Sequence, residues 1–265
     1  MQKIAKEIRA LTVECIASIG QGHIGGSLSI VDALTVLYFK HMNVDPTNPN
    51  KEGRDRLVVS KGHAGPGVYA TLARKGYFPQ EELYTLNRFG TNLPSHCDMN
   101  KTPGVDMTAG SLGQGLSCAC GLALGSKLSN DNAYIYCIIG DGEAQEGQIW
   151  EASMFAAHHK LDNLIVMLDN NKLQLSGYTS DVLALNNPKA KWESFDFFVQ
   201  EIDGNNIDEL DVAITKAKEN KGKPSMIVLN TIKGKGLSYS ENAGIDNHSM
   251  PISAEVLALA KEELK

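Results

Sequence analysis

The sequence predicts an α/β fold, with a central, mostly parallel sheet of about five or six strands and helices on both faces. Two observations carry this. Five short apolar runs, at residues 56–60 (RLVVS), 133–139 (AYIYCII), 164–168 (LIVML), 197–203 (FFVQEID) and 225–231 (SMIVLNT), are rich in β-branched or aromatic residues. Most are bounded by turn residues, as strands buried on both faces are. Segments of helical periodicity stand between them, and that alternation is the pattern of a parallel sheet.

Taken in order, the chain opens with a helix. Ile4, Ile8, Leu11, Cys15, Ile16 and Ile19 recur at intervals of three and four and give it one apolar face. It stops at Gly20, a residue that often follows the last turn of a helix. The loop Gly20-Gln21-Gly22-His23-Ile24-Gly25 matches GxGxxG, with Asp45 further on. A dinucleotide site needs that motif after a strand, and here it follows an amphipathic helix, so NAD binding is rejected. What remains is a glycine-rich loop presenting His23. Ser29-x-x-Asp32 has the form of a capping box for a helix reaching Phe39. The strand at 56–60 ends on Lys61-Gly62-His63, and helices are expected to Lys75 and from Pro79 to Phe89. His96 lies in another loop, followed by Gly110-Ser111-Leu112-Gly113 and an apolar helix whose small residues allow close packing. Residues 180–193 are polar and read as irregular. Asn206-x-x-Glu209 caps the next helix, and a last helix spans 253–264. No linker interrupts the chain, so 1–265 is expected to be one domain.

Composition excludes several functions. A net charge of −6 and a pI near 5.7 do not provide the basic face that nucleic acid requires. No run approaches the roughly 18 apolar residues of a membrane span. The charged amphipathic start is not a signal peptide. The five cysteines are odd in number and lack CxxC spacing, so free thiols in the cytoplasm are expected. No GxxxxGK[ST] exists for a P-loop.

The chemistry concentrates between Gly140 and Gly177. The strand at 133–139 stops at Gly140-Asp141-Gly142, and the strand at 164–168 runs into Asp169-Asn170-Asn171. Ligands of open α/β sheets bind beyond the carboxyl ends of the strands. Asp141 and Asn171 are therefore expected at one rim, one strand apart. A carboxylate beside an amide oxygen suits a hard divalent cation such as Mg²⁺, which is commonly shared with a phosphorylated ligand. The glycines at 140 and 142 let backbone approach a phosphate.

Gly-Asp-Gly, residues 143–169 in between, and then Asn-Asn resembles the thiamine-diphosphate signature. The shared Glu146–Ala152 segment, together with the histidine loops, resembles the transketolase family from His23 to Gly234. The resemblance covers only that family's diphosphate-binding domain. It implies the thiamine-diphosphate-binding fold, with thiamine diphosphate and Mg²⁺ as cofactors. It implies Asp141, Asn171 and the Leu173 carbonyl as metal ligands, with Gly142 at the diphosphate. His23, His63, His96 and, in a more divergent segment, His248 match active-site histidines that touch the diphosphate or the sugar. Gly110, Ser111 and Leu112 match the loop at the cofactor rings. Glu146 and Glu151 match acidic residues near a subunit interface. Ile24 and Ser95 depart from the proline and glycine frequent at those places.

The resemblance also implies an absent part, because the glutamate that acts on the cofactor's pyrimidine ring belongs to a second domain. The implied protein is the N-terminal half of a split transketolase, completed in an α2β2 assembly by a separately encoded C-terminal subunit. It would move a two-carbon ketol unit between sugar phosphates. The alternatives are a deoxyxylulose-phosphate-synthase-like or 2-oxoacid dehydrogenase α-like enzyme, or a non-catalytic cofactor-binding subunit.

Overall fold

All five apolar runs become strands of one sheet. A computed structural model describes residues 1–265. The strands are β1 (Arg56–Val59), β2 (Ile135–Gly140), β3 (Leu164–Asn170), β4 (Phe198–Asp203) and β5 (Ser225–Asn230). They are all parallel, in the order β1-β2-β3-β5-β4. Gly140 is level with Asp169, and Asn170 with Asn230, so the carboxyl ends of the three inner strands share one rim.

The inner strands lack polar alternation because both of their faces are covered. Every residue of β3 is buried. Tyr136, Ile138, Ile165 and Met167 enter one core; Ile135, Cys137, Ile139, Leu164, Val166 and Leu168 enter the other. That is the two-residue period of a strand, sandwiched between helices.

The helices are α1 (Gln2–Ala17), α2 (Ile24–Leu28), α3 (Val31–Val36), α4 (Gly65–Lys75), α5 (Gln114–Ser129), α6 (Gly147–His158), α7 (Thr179–Val182), α8 (Pro188–Ser194), α9 (Ile207–Glu219), α10 (Ser238–Glu241) and α11 (Ala254–Glu263). Residues of α1, α3, α4 and α9 build the first core; α5 and α6 build the second. The Asn206 side chain accepts from the backbone N–H groups of Asp208 and Glu209 and caps α9 as expected. No helix is long and apolar enough to cross a membrane.

Three local expectations are corrected. Ser29 and Asp32 form no capping box. The Ser29 hydroxyl donates to Asp169 at 2.6 Å, and Asp32 accepts a bidentate pair from Arg9. Tertiary partners thus outcompete the local cap. The segment after Pro79 is a 3-10 helix over Gln80–Thr85 rather than a helix to Phe89. Residues 180–193 are irregular only over 183–187: α8 starts on Pro188, is capped by Asn187, and buries Trp192 completely. The indole N–H donates to Ser153 at 3.2 Å, which a polar count of the segment does not reveal.

Candidate active site

The rim at the ends of β2 and β3 opens into a cleft of about 260 Å³. Asp141, Gly142, Glu146, Asn171, Leu173, Leu112, His63 and His248 line it. The turn that follows β3 brings the predicted ligands together. Asp141 accepts from the Gly142 N–H at 2.8 Å and from the Lys172 N–H at 2.5 Å. The Asn171 side-chain oxygen accepts from the Leu173 N–H at 3.0 Å. Lys172, between them, holds a left-handed φ of 68°, uncommon for a residue with a Cβ, and the strain falls at the centre of the site.

The four histidines converge from four separate segments. His23 lies 5.4 Å from His63, 5.8 Å from His96 and 5.3 Å from His248, centroid to centroid, and His63 lies 4.9 Å from His248. Gly25 explains how the first and last of these segments meet. Its carbonyl accepts from the Gly234 N–H at 3.0 Å, and a Cβ there would fall 2.3 Å from the Asn247 carbonyl oxygen. The Asn247 amide in turn donates to the Lys233 carbonyl at 3.0 Å. Gly110 packs beside His96. Ser111 and Glu151 are exposed, and neither lines the cleft. Of the remaining histidines, His41 pairs with Asp211 at 2.8 Å, while His158 and His159 stand together at the end of α6.

Four cleft residues were not singled out from the sequence. Glu143, just past the Gly-Asp-Gly turn, is buried and accepts from Ser60, from the Gly113 N–H at 2.8 Å and from the Gly140 N–H at 3.0 Å. It ties the Gly110–Gly113 loop to the ends of β1 and β2. Lys61 and Asp169 form a fully buried ion pair at 2.6 Å. Lys233 donates to the Leu173 carbonyl at 3.2 Å. The signals were present (a lysine before Gly-His, an aspartate before Asn-Asn), but the partners lie far away in sequence.

Burial dominates the electrostatics of the cleft. Burial, with Asp169 nearby, raises the Asp141 carboxyl to about 6. Burial lowers His63 to about 2, reinforced by the Lys61 ammonium, and lowers His248 to about 4, reinforced by Lys233. His23 is lowered by burial and then by His96. Lys233 is lowered by burial, then by Lys61, to about 8. Burial opposes ionisation of Asp169, but the Lys61 ammonium and its hydrogen-bond donors outweigh it and hold the carboxyl below its usual range. At neutral pH the cleft therefore offers the neutral imidazoles of His63 and His248 beside the Lys61–Asp169 ion pair.

The family model described as "Transketolase, thiamine diphosphate binding domain" matches residues 1–265. The chain belongs to the transketolase family. Within that family it is 54% identical over its whole length to the 6-deoxy-6-sulfo-D-fructose transketolase subunit SqwG of Clostridium sp. (strain MSTE9), covering 96% of that protein. It is 43% identical over its whole length to one of the subunits of the apulose-4-phosphate transketolase of Actinobacillus succinogenes, again covering 96% of the relative. Among solved transketolases it superposes on that of Leishmania mexicana with a TM-score of 0.93 at 31% identity. On that of Campylobacter jejuni the TM-score is 0.92 at 32% identity. The chain spans 41% and 42% of those two chains, although 99% of it is covered. It is thus a transketolase-family transferase subunit, similar along its length to proteins that are themselves subunits.

Proposed function

We propose that this chain anchors thiamine diphosphate and Mg²⁺ in a two-part transketolase. With a separately encoded C-terminal subunit in an α2β2 assembly, it would transfer a two-carbon ketol unit from a ketose phosphate to an aldose phosphate. The observation that carries the proposal is the cluster of oxygens at the cleft rim. The Asp141 carboxylate, the Asn171 amide oxygen and the Leu173 carbonyl are hard donors of the kind that suit Mg²⁺ and leave its remaining positions to phosphate and water. The donor set fits a cation on an observation independent of the resemblance: the Leu173 carbonyl already faces an ammonium, that of Lys233.

Bound thiamine diphosphate supplies the electron sink for breaking and making the carbon–carbon bond. The residues of this chain do the rest of the work on this side of the pocket. Asp141, Asn171 and Leu173 hold the metal; Gly142 lets backbone approach the diphosphate. Gly110, Leu112 and Glu146 border the cofactor, with His63 and His248, while the exposed Ser111 stays outside the cleft. His23, His63, His96 and His248 face the sugar, and the neutral imidazoles of His63 and His248 each offer a hydroxyl one donor and one acceptor. Glu151 serves at a subunit contact, as its exposed place on α6 allows. All five cysteines are unpaired, which suits the cytoplasm.

The test is reconstitution with the partner subunit, using ketose phosphates, 6-deoxy-6-sulfo-D-fructose and apulose 4-phosphate as donors. Ketol transfer by the pair and none by this chain alone is expected. Transfer by the isolated chain refutes the division of labour, and turnover of pyruvate alone favours a different thiamine-diphosphate reaction. Asp141→Ala abolishes Mg²⁺-dependent cofactor retention in the same complex. The loss by calorimetry should exceed the about 10–100-fold typical of losing an outer-shell partner; unchanged affinity overturns the metal assignment.

A further inference from the structure

Asp169 is the penultimate residue of β3, two residues before Asn171, yet its surroundings differ from those of a ligand. It is wholly buried. Its carboxylate accepts from the Ser29 hydroxyl and the Lys61 ammonium, each at 2.6 Å, from the Asn171 amide nitrogen at 2.9 Å, and from the Thr231 hydroxyl. These donors come from four segments of the chain and occupy both of its oxygens. Lys61 directs its remaining hydrogens to the Gly26 carbonyl at 2.8 Å and to Ser29 at 3.4 Å, so the ion pair is internally satisfied.

We propose that Asp169 is a positioning residue that fixes the Asn171 side-chain amide with its oxygen toward the cation and its nitrogen away. The inference rests on the cation assignment given above. A carboxylate held ionised by Lys61 only accepts hydrogen bonds, so the group of Asn171 that faces it must be the NH₂. The other end of the amide meets the Leu173 N–H, which only donates, so that end must be the oxygen. Turning the amide over would set oxygen against carboxylate and NH₂ against N–H, two repulsions replacing two hydrogen bonds. Without Asp169 only the Leu173 N–H favours the oxygen end, so the amide presents its NH₂ face, which repels a metal, more often. Asp169 therefore determines which atom of its neighbour the cation meets, without touching the cation itself.

The test is a double-mutant cycle on the full chain assembled with its partner, read as Mg²⁺ affinity by calorimetry at saturating thiamine diphosphate. D169N releases the amide and should weaken Mg²⁺ about 10–100-fold, the range for losing an outer-shell partner. N171D alone should also weaken it, because a second carboxylate then faces Asp169. The pair D169N/N171D should bind more tightly than either single variant, since an aspartate at 171 presents oxygen in both orientations and the asparagine at 169 donates to it. A role limited to stability would lower the melting temperature of D169N but give no rescue on adding N171D. Parent-like affinity in D169N, or N171D alone binding as tightly as the parent, overturns the proposal. If D169N fails to fold with its buried Lys61 unpaired, N171D alone still decides. A parent complex that takes up no Mg²⁺ overturns the cation assignment and this inference with it.

Discussion

Replacing Asp32 by leucine should be among the costliest single changes outside the cleft. The Arg9 guanidinium meets the Asp32 carboxylate at 3.1 and 2.5 Å, and only 7% and 6% of the two side chains is exposed. Arg9 Nε also donates to the Lys235 carbonyl at 2.9 Å, and Asp32 accepts from the Asn205 amide at 3.0 Å. Asn205 in turn accepts from the Ile232 N–H at 2.9 Å, so the pair fastens α1 and α3 to the loop that carries Lys233. Asp32→Leu leaves a buried guanidinium without its counter-ion, a loss of about 3–5 kcal/mol. At about 2–4 °C per kcal/mol for a chain of this size, the melting midpoint falls by about 10 °C. Arg9→Met/Asp32→Leu removes both charges together and should recover most of that loss. Urea and thermal unfolding of the parent, the single variant and the double variant measure it. A single-variant cost under about 1 kcal/mol, or a double variant no better than the single, refutes the reasoning.

Other outcomes follow from the same geometry. Gly115→Ala should destabilise strongly, because its Cβ would lie 2.4 Å from the Ser60 hydroxyl oxygen and 2.7 Å from the Ser60 Cα; Gly121→Ala, on the same helix with open space around it, should stabilise the free chain by about 0.5–1 kcal/mol. Paired melting curves test both, and similar behaviour would contradict the packing. Asn206→Ala should cost about 1 kcal/mol through loss of the α9 cap, measured by urea unfolding, with no loss expected from Asn206→Asp. The folded-state pKa values of His63 and His248 lie below the unfolded value near 6.5. Stability is therefore complete above that pH and declines as pH falls toward about 4 for His248, and on toward about 2 for His63. Imidazole NMR titrations of the folded chain that centre on 6.5 would contradict this.

The sheet was legible because its strands are short apolar runs that end on turn residues, and the inner ones, buried on both faces, need no alternation. That Asp141 and Asn171 share one rim was legible because they follow adjacent strands, whose order sets their position in space. His248 stood in a divergent segment, and the structure nevertheless sets it 5.3 Å from His23. What could not be read were pairings made by tertiary contact. Lys61 finds Asp169 across 108 positions, and Glu143 gathers donors from residues 60, 113 and 140. Trp192 looked solvated by the polarity of its neighbours, although it is the largest side chain in its core. Ser29 and Asp32 had the correct local spacing for a cap and were claimed by more distant partners.

The crossing at Gly25 sets a rule for redesign. The segment bearing His23 and the one bearing His248 are stitched together there, by a bond from the Gly234 N–H and by a gap too narrow for a methyl group beside Asn247. Anyone re-aiming this enzyme at another sugar by exchanging residues 20–26 inherits a seam with residues 233–248. The two stretches should be transplanted as one cassette, since a graft of either alone would be mismatched where they touch.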